Sequence, residues 1–207
     1  THSNELFMVD SNTLETRTRM SAYHQDFGQI SQLACIQRPN MENFIAVSST
    51  DCKLRILSDA PSKSGQVLYT RPFGSTQTAL KHIPEMRVLM CGSRSGIMSS
   101  CTLEQGDHWS SGQFSSHHQV AVSSFCFMKT SHHLAASMID GGVQVYDADS
   151  ASPLSYIKQK ESVNCLDYSP HFKLLATGGH ESTPYLYVPG DKRCVVTALQ
   201  DANETHK

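Results

Sequence analysis

Several features are missing from the sequence, and each absence removes a class of protein. No apolar run approaches the roughly 20 residues that a membrane-spanning helix needs. Charged residues make up only 17% of the chain and the formal net charge is −2, so no overall electrostatic field favours nucleic acid or an anionic membrane surface. We therefore expect neither a membrane nor a nucleic acid as partner.

Disulfide and metal-binding patterns are also absent. The seven cysteines are spaced singly, without a CxxC pair, whereas a zinc site would need cysteine and histidine at ligand spacing. The adjacent pairs His117–His118 and His132–His133 would point to opposite faces of a strand and would not chelate one ion. We predict free thiols in a reducing compartment, with no metal and no cofactor.

Catalytic motifs do not occur either. The sequence contains no GxSxG, no HExxH and no GxxxxGK[ST] phosphate loop. The glycine-bearing stretches Gly92–Gly96 and Asp140–Gly142 are typical of hairpin turns. We expect no catalytic residues and a protein that is not an enzyme.

What the sequence does contain is a repeat of about 43 residues, a spacing typical of four-stranded propeller blades. Four segments align, at residues 44–57, 87–100, 133–146 and 173–188. Each has an apolar run, small residues, a polar turn and a second run with the two-residue alternation of a strand. The aligned turn residues are Asp51, Arg94, Asp140 and His180.

A further strand precedes each hairpin and another follows it, so we predict an all-β propeller of about four and a half blades. Residues 1–24 hold the last strands of a preceding blade, and residues 25–74, 75–116, 117–158 and 159–200 hold one blade each, before a tail at 201–207. Nothing shows the apolar spacing of a long amphipathic helix.

These residues resemble the WD-repeat β-propeller family. The third full blade has His118 before its first strand, Asp140 in the turn, and Tyr146-Asp147 in place of Trp-Asp. The resemblance implies a hydrogen-bonded chain of histidine, aspartate and aromatic, which we complete with Ser137. The first blade keeps Asp51 at the turn. No Trp-Asp dipeptide occurs in the sequence, so the assignment depends on period and pattern.

A propeller is a closed ring, and closure protects its strand edges. The resemblance implies a ring that closes with seven blades, so we expect the remaining blades to come from a longer chain or from a partner. The sequence also begins at Thr1 without an initiator methionine, which favours the longer chain.

The expected function is a non-enzymatic scaffold that binds other proteins of a larger complex. Candidate contact loops are Gln105–Phe114 and Ser58–Gly65, and Trp109 is a possible interface residue because tryptophan is enriched at interface hot spots. Trp109 packed on a neighbouring blade is the structural alternative.

Within this family, the degenerate blades and the run Arg87–Met98 resemble large ciliary and axonemal WD-repeat proteins. The alternative is a substrate-receptor subunit of a cullin-type ubiquitin ligase. The expected location is cytoplasmic, with the axoneme of a cilium or flagellum as the more specific hypothesis and the nucleus left open.

Overall fold

The computed structural model describes residues 5–10, 12–21, 28–38, 41–103, 109–114, 119–180, 184–189 and 194–196. Their regular elements are β-strands, so the all-β prediction is confirmed. Over these residues, no helix is long and apolar enough to cross a bilayer. The chain divides into two compact units, Thr1–Phe114 and Ser115–Lys207.

The first unit contains a two-stranded sheet and two four-stranded blades. In each blade the strands are antiparallel and follow one another in sequence order. The two-stranded sheet, here the half-blade, consists of β1 (Glu5–Val9) and β2 (Thr16–Ser21). The first blade consists of β3 (Ile30–Ile36), β4 (Phe44–Ser49), β5 (Lys53–Ser58) and β6 (Val67–Pro72). The second blade consists of β7 (Gln77–Ile83), β8 (Val88–Ser93), β9 (Met98–Leu103) and β10 (Trp109–Phe114).

The second unit contains two more blades with the same strand order. The third blade consists of β11 (Val122–Met128), β12 (His133–Met138), β13 (Gly142–Asp147) and β14 (Pro153–Lys158). The fourth blade consists of β15 (Val163–Ser169), β16 (Leu174–Gly179), β17 (Tyr185–Tyr187) and β18 (Cys194–Val196).

The half-blade has the local geometry of the last two strands of a full blade. Its pairing shifts register between Met8 and Val9, as the third and fourth strands of the third blade do between Val145 and Tyr146. Leu14, in its turn, has a φ of 59°, and Ala151 in the corresponding turn has a φ of 55°. Over the residues that the structure describes, the prediction of about four and a half blades is therefore confirmed.

Apolar side chains hold neighbouring blades together within each unit. Leu6 and Met8 of the half-blade pack against Val47 and Leu57 of the first blade. The first and second blades share a second cluster, which includes Leu54, Ile56, Leu89, Cys91 and Cys101. The third and fourth blades share another, which includes Met128, Val143, Val145, Val163 and Leu175. Within each unit, neighbouring blades thus bury apolar faces against each other, as expected where strands alternate apolar and polar positions.

The strand register corrects two of the aligned turn positions. Ser48 pairs with Leu54, Gly92 with Met98 and Ser137 with Val143. Counting three residues on from Ser48, Gly92 and Ser137 gives the equivalent turn residues, which are Asp51, Ser95 and Asp140. The predicted alignment, which placed Arg94 at this position, was therefore one residue too early. The predicted alignment of the fourth segment is also one residue too early, because β16 begins at Leu174 and not at residue 173. His180 therefore corresponds to the residue before the turn aspartate of the other blades. The distribution of apolar residues does not determine the alignment to within one residue, whereas the pairing of the backbone does.

Candidate functional site

The turn between β4 and β5 is organised around the carboxylate of Asp51. Its Oδ1 accepts hydrogen bonds from the Ser49 hydroxyl at 2.6 Å and from the Lys53 backbone N–H at 3.2 Å. Arg55 completes the site, with Nη2 2.5 Å from Oδ2 and Nη1 2.9 Å from the Ser49 hydroxyl. The Arg55 side chain is only 5% exposed, so Asp51 neutralises a buried cation as well as closing the turn.

Two opposing effects set the pKa of Asp51. Partial burial raises this pKa. The hydrogen bonds from Arg55, Ser49 and the Lys53 backbone, together with the charge of Arg55, lower it by a larger amount, so the pKa lies below its usual value. The carboxylate is therefore ionised at neutral pH. Sequence reasoning predicted Asp51 but missed Arg55, because residues on opposite sides of a turn show no spacing signal.

Asp140 occupies the same position in the third blade but has a more exposed partner. Its Oδ1 accepts the Gly142 backbone N–H at 3.0 Å, and its Oδ2 lies 2.7 Å from Lys158 Nζ. The two side chains are 37% and 50% exposed, respectively. Burial raises the pKa of Asp140, but Lys158 and the Gly142 N–H lower it more, giving a net decrease. Asp140 closes the turn and links it to the outer strand β14.

The predicted partnership of Ser137 with Asp140 and Tyr146 is wrong. Ser137 pairs with Val143 and Tyr146 with Leu134, so their side chains project from opposite faces of the sheet, because successive residues of a strand alternate. Ser137 is fully buried, and its hydroxyl lies 2.9 Å from that of Ser123. In the first blade the serine that reaches the turn aspartate is Ser49, and the third blade has Met138 at that position.

Ser137 belongs instead to a hydrogen-bonded bridge between blades. The Ser123 hydroxyl contacts Ser137 and donates to the backbone carbonyl of Val163 on the fourth blade. The first blade repeats the arrangement, since Ser31 lies 2.9 Å from Ser48 and donates at 2.9 Å to the carbonyl of Gln77 on the second blade. Ser31 and Ser123, which sequence reasoning missed, each link their blade to the next one within the unit.

The bridging serines sit where the inner strand shifts register. The shifts lie between Ile30 and Gln32 and between Val122 and Ser124, so Ser31 and Ser123 are the extra residues of β-bulges. The sequence signal was a polar residue directly after the first residue of each inner strand, namely Ser31, Thr78, Ser123 and Asn164.

Tyr146 is almost completely buried at the end of β13, and burial raises the pKa of its hydroxyl to about 12. It therefore stays protonated at any physiological pH and packs as a large core residue. His118, predicted as its partner, lies outside the described residues. The roles assigned to His118, Asp140, Tyr146 and Asp51 as structural residues of the blades remain predictions.

Trp109 is the first residue of β10, and its ring packs on the first blade. It stacks on Tyr69 with the ring centres 5.8 Å apart and lies 6.5 Å from Phe44. Residues 109–114 are a strand, so the contact loop predicted at Gln105–Phe114 is wrong over that part. The stretch Trp-Ser-Ser-Gly-Gln-Phe lacks alternation, which is why its pairing with β9 was not foreseen. Trp109 remains partly exposed, and its role at an interface stays a prediction.

Large apolar side chains protrude from turns at both ends of the blades. Ile97, between β8 and β9, is 47% exposed, and Ile139, between β12 and β13, is 52% exposed. On the connections between first and second strands, Met41 is 62% and Phe172 is 70% exposed. Such side chains gain free energy when a partner covers them.

Acidic and imidazole groups meet at one end of the third blade without forming a metal centre. His132 Nδ1 lies 3.0 Å from Asp149 Oδ2, and His133 pairs in register with Asp147. Across the part of the chain that the structure describes, no three His, Cys, Asp or Glu side chains converge as metal ligands.

The chain was compared with known families and proteins. The sequence-family model for the anaphase-promoting complex subunit 4 WD40 domain matches residues 80–171. This range covers most of the second blade, the third blade and the start of the fourth. No curated protein matches the sequence.

Two solved structures share the fold. The Saccharomyces cerevisiae protein Sqt1 superimposes with a TM-score of 0.71 at 15% identity, over 91% of this chain and 54% of that one. A chain of the mitotic checkpoint complex superimposes with a TM-score of 0.76 at 18% identity, over 93% of this chain and 57% of that one. The chain thus spans a little over half the length of either structure.

The successive antiparallel blades, their shared turn geometry and the matched domain agree with one another. Residues 80–171 resemble a WD40 domain, and the chain shares the four-stranded blade fold of the two solved structures.

Proposed function

We propose that this protein is a non-enzymatic scaffold that binds other proteins within a larger assembly. The observation that carries the proposal is the match of residues 80–171 to the WD40 domain of a subunit of the anaphase-promoting complex. A chain of the mitotic checkpoint complex with the same fold supports it. Both relatives belong to multiprotein complexes.

The rigidity of the blades supports the same conclusion. Buried apolar clusters and hydrogen-bonded turns hold the strands in one arrangement, so the turns are presented to a partner with little loss of conformational freedom. Ile97 and Ile139 protrude from these fixed turns. We assign them as contact residues, together with Trp109.

The test compares the tagged protein with variants at the turns. Ile97→Asp and Ile139→Asp should each lose specific proteins that the wild type retains in quantitative affinity purification. The matched control is Leu154→Asp, which changes a residue of equal size and similar exposure (49%) on the outer strand β14. Retention of all partners by both turn variants would remove the turns from the interface. A complete absence of specific partners would contradict the scaffold itself.

We further propose an axonemal assembly as the setting, because the degenerate blades resemble those of ciliary WD-repeat proteins. The partners decide this point. Recovery of axonemal or microtubule-associated proteins supports it, whereas recovery of a cullin and its adaptor identifies a substrate receptor of a ubiquitin ligase instead.

A further inference from the structure

Two buried cysteines meet inside the second blade. Cys91 lies on β8 opposite Ser99, and Cys101 lies on β9 opposite Leu89. Because residues two apart on a strand share a face, the two side chains are diagonal neighbours on one face of the sheet. They are 0% and 1% exposed, and the Cys91 thiol donates to the backbone carbonyl of Leu89 at 3.9 Å.

An arginine from the first blade approaches this pair. Arg71, on β6, places Nη1 3.2 Å from the sulfur of Cys101, and its guanidinium lies 4.7 Å from the centre of the Phe73 ring. An arginine is charged at all relevant pH values and favours an anion beside it. The sulfur of Cys101 is therefore placed to carry a negative charge.

The environment makes the two thiols unequal. The neighbouring thiol of Cys91 lowers the pKa of Cys101, burial opposes this, and the charge and hydrogen bond of Arg71 lower it further, to about 7. The same neighbouring sulfur and burial raise the pKa of Cys91. At pH 7 about half of Cys101 is thus a thiolate, beside the protonated thiol of Cys91. Cys35 provides a contrast, since burial and Asp59 raise the pKa of its thiol.

A thiolate beside a second thiol is oxidised reversibly by peroxides that reach the sulfur. Cys101 is 1% exposed, so a peroxide reaches it when the second blade opens locally. We propose that Cys101 is an oxidation site for hydroperoxides and that Cys91 is the thiol that converts the oxidised product to a disulfide.

The chemistry proceeds in two balanced steps. The Cys101 thiolate attacks one oxygen of hydrogen peroxide, the O–O bond breaks, and the departing hydroxide takes up a proton and leaves as water. Sulfur has then lost two electrons to the peroxide and is a sulfenic acid. In the second step the sulfur of Cys91 attacks that of Cys101, the S–O bond breaks, and the hydroxyl leaves as water with the proton of Cys91.

The disulfide would change the contact between the first and second blades. Diagonal neighbours in an antiparallel sheet are about 7–8 Å apart, whereas a disulfide needs Cα atoms within about 6.8 Å. Strands β8 and β9 must therefore shift as the bond forms. The thiolate also disappears, so Arg71 loses its anionic partner.

The primary test uses the wild-type chain. It is treated with one equivalent of hydrogen peroxide between pH 5.5 and 9, free thiols are then alkylated, and tryptic peptides are analysed by mass spectrometry. Cleavage after Arg87, Arg94 and Lys129 separates the two cysteines, so the expected product is a disulfide joining peptides 88–94 and 95–129. The rate should follow the ionisation of a group with a midpoint near pH 7.

The second peptide also contains Cys126, which provides the matched control. Cys126→Ser should leave the cross-link intact, whereas Cys101→Ser should abolish it. In Cys91→Ser the sulfenic acid should persist and react with dimedone at Cys101. In Arg71→Gln the thiolate fraction at pH 7 should fall about fivefold if the pKa rises by about one unit, and the rate should fall with it.

The wild-type experiment alone can overturn the proposal, even where a variant fails to fold. Oxidation of the exposed Cys165 while Cys101 stays reduced would do so, as would a rate midpoint near pH 9. A sulfenic acid at Cys101 that never forms the cross-link would remove Cys91 from its assigned role.

Discussion

Asp51 and Asp140 occupy the same turn position in two blades, yet they differ in what depends on them. Each accepts the backbone N–H two residues ahead, the bond that fixes an Asx turn. Asp51 also neutralises Arg55, which is 5% exposed, whereas Lys158, the partner of Asp140, is 50% exposed. The burial of the cation therefore decides how much each aspartate stabilises its blade.

We expect Asp51→Ala to be the more damaging substitution. It removes the carboxylate that neutralises the buried guanidinium of Arg55, which costs about 3 kcal/mol. Asp140→Ala removes a turn hydrogen bond and a solvent-screened ion pair, together about 1 kcal/mol, or about 2–4 °C in Tm. Urea unfolding of the two variants measures the difference. Equal losses would show that Arg55 finds another partner, and an unchanged Tm with lost partner binding would give Asp140 a role in function.

The depressed pKa of Asp51 predicts how its contribution varies with pH. A carboxyl group whose pKa is lower in the folded state stabilises fully above its unfolded pKa, and that stabilisation disappears as the pH falls towards the folded value. With an ordinary value of 3.8, the stability difference between wild type and Asp51→Asn should be constant above about pH 5. It should shrink steadily below pH 3.8. A difference that instead changed between pH 6 and 8 would assign the effect to a histidine.

At the scale of the element, the turn between β12 and β13 depends on a glycine. Gly141 has a φ of 87°, and a Cβ there would lie 2.4 Å from the carbonyl oxygen of Glu161 and 2.5 Å from that of Gln159. Gly141→Ala should lower the free energy of unfolding by more than about 1 kcal/mol for the backbone strain alone, with the clash in addition. Gly74→Ala is the control, because nothing lies within 4 Å of its Cβ position. Similar losses for the two in thermal unfolding would contradict this account of the turn.

The serine bridge gives a second prediction at this scale. Ser123→Ala removes the donor to the Val163 carbonyl and the partner of Ser137, and we expect a loss of about 1–2 kcal/mol. The neighbouring Ser124→Ala, on the same strand, is the control and should change stability by less than about 0.5 kcal/mol. Chemical denaturation compares them. An effect of equal size at both positions would mean that the bridge adds nothing beyond the packing of β11.

The sequence predicted strands better than it predicted contacts between them. The alternation of apolar and polar residues located the hairpins around Asp51 and Asp140. A strand that buries one face has an apolar residue at every second position. The same pattern placed Arg94 one residue too early and joined Ser137 to the wrong partner, since only the backbone pairing decides which face a residue occupies. Arg55 and Arg71 could not be found at all, because their partners are defined by folding rather than by spacing.

At the scale of the whole molecule, each blade supplies the surface that its neighbour needs. In the second unit, Val163 and Leu175 of the fourth blade cover Met128, Val143 and Val145 of the third, which are at most 1% exposed. This dependence is the expected behaviour of repeats that cannot bury an apolar face alone. The stability of one blade is therefore coupled to the presence of the next.

Removing the fourth blade tests this coupling. A chain ending at Gln159 keeps the third blade complete but uncovers Met128, Val143 and Val145, and it deletes the carbonyl that Ser123 bonds. Exposed apolar faces and unpaired edges lead to association, so we expect increased light scattering and loss of a cooperative thermal transition. Substituting charged residues at Val143 and Val145 in the truncated chain should reduce the scattering without restoring the transition, since charge hinders association but does not replace the buried surface. A monomeric, cooperatively folding fragment would show that the third blade is stable without its neighbour, and the blades would then have to be treated as independent folding units.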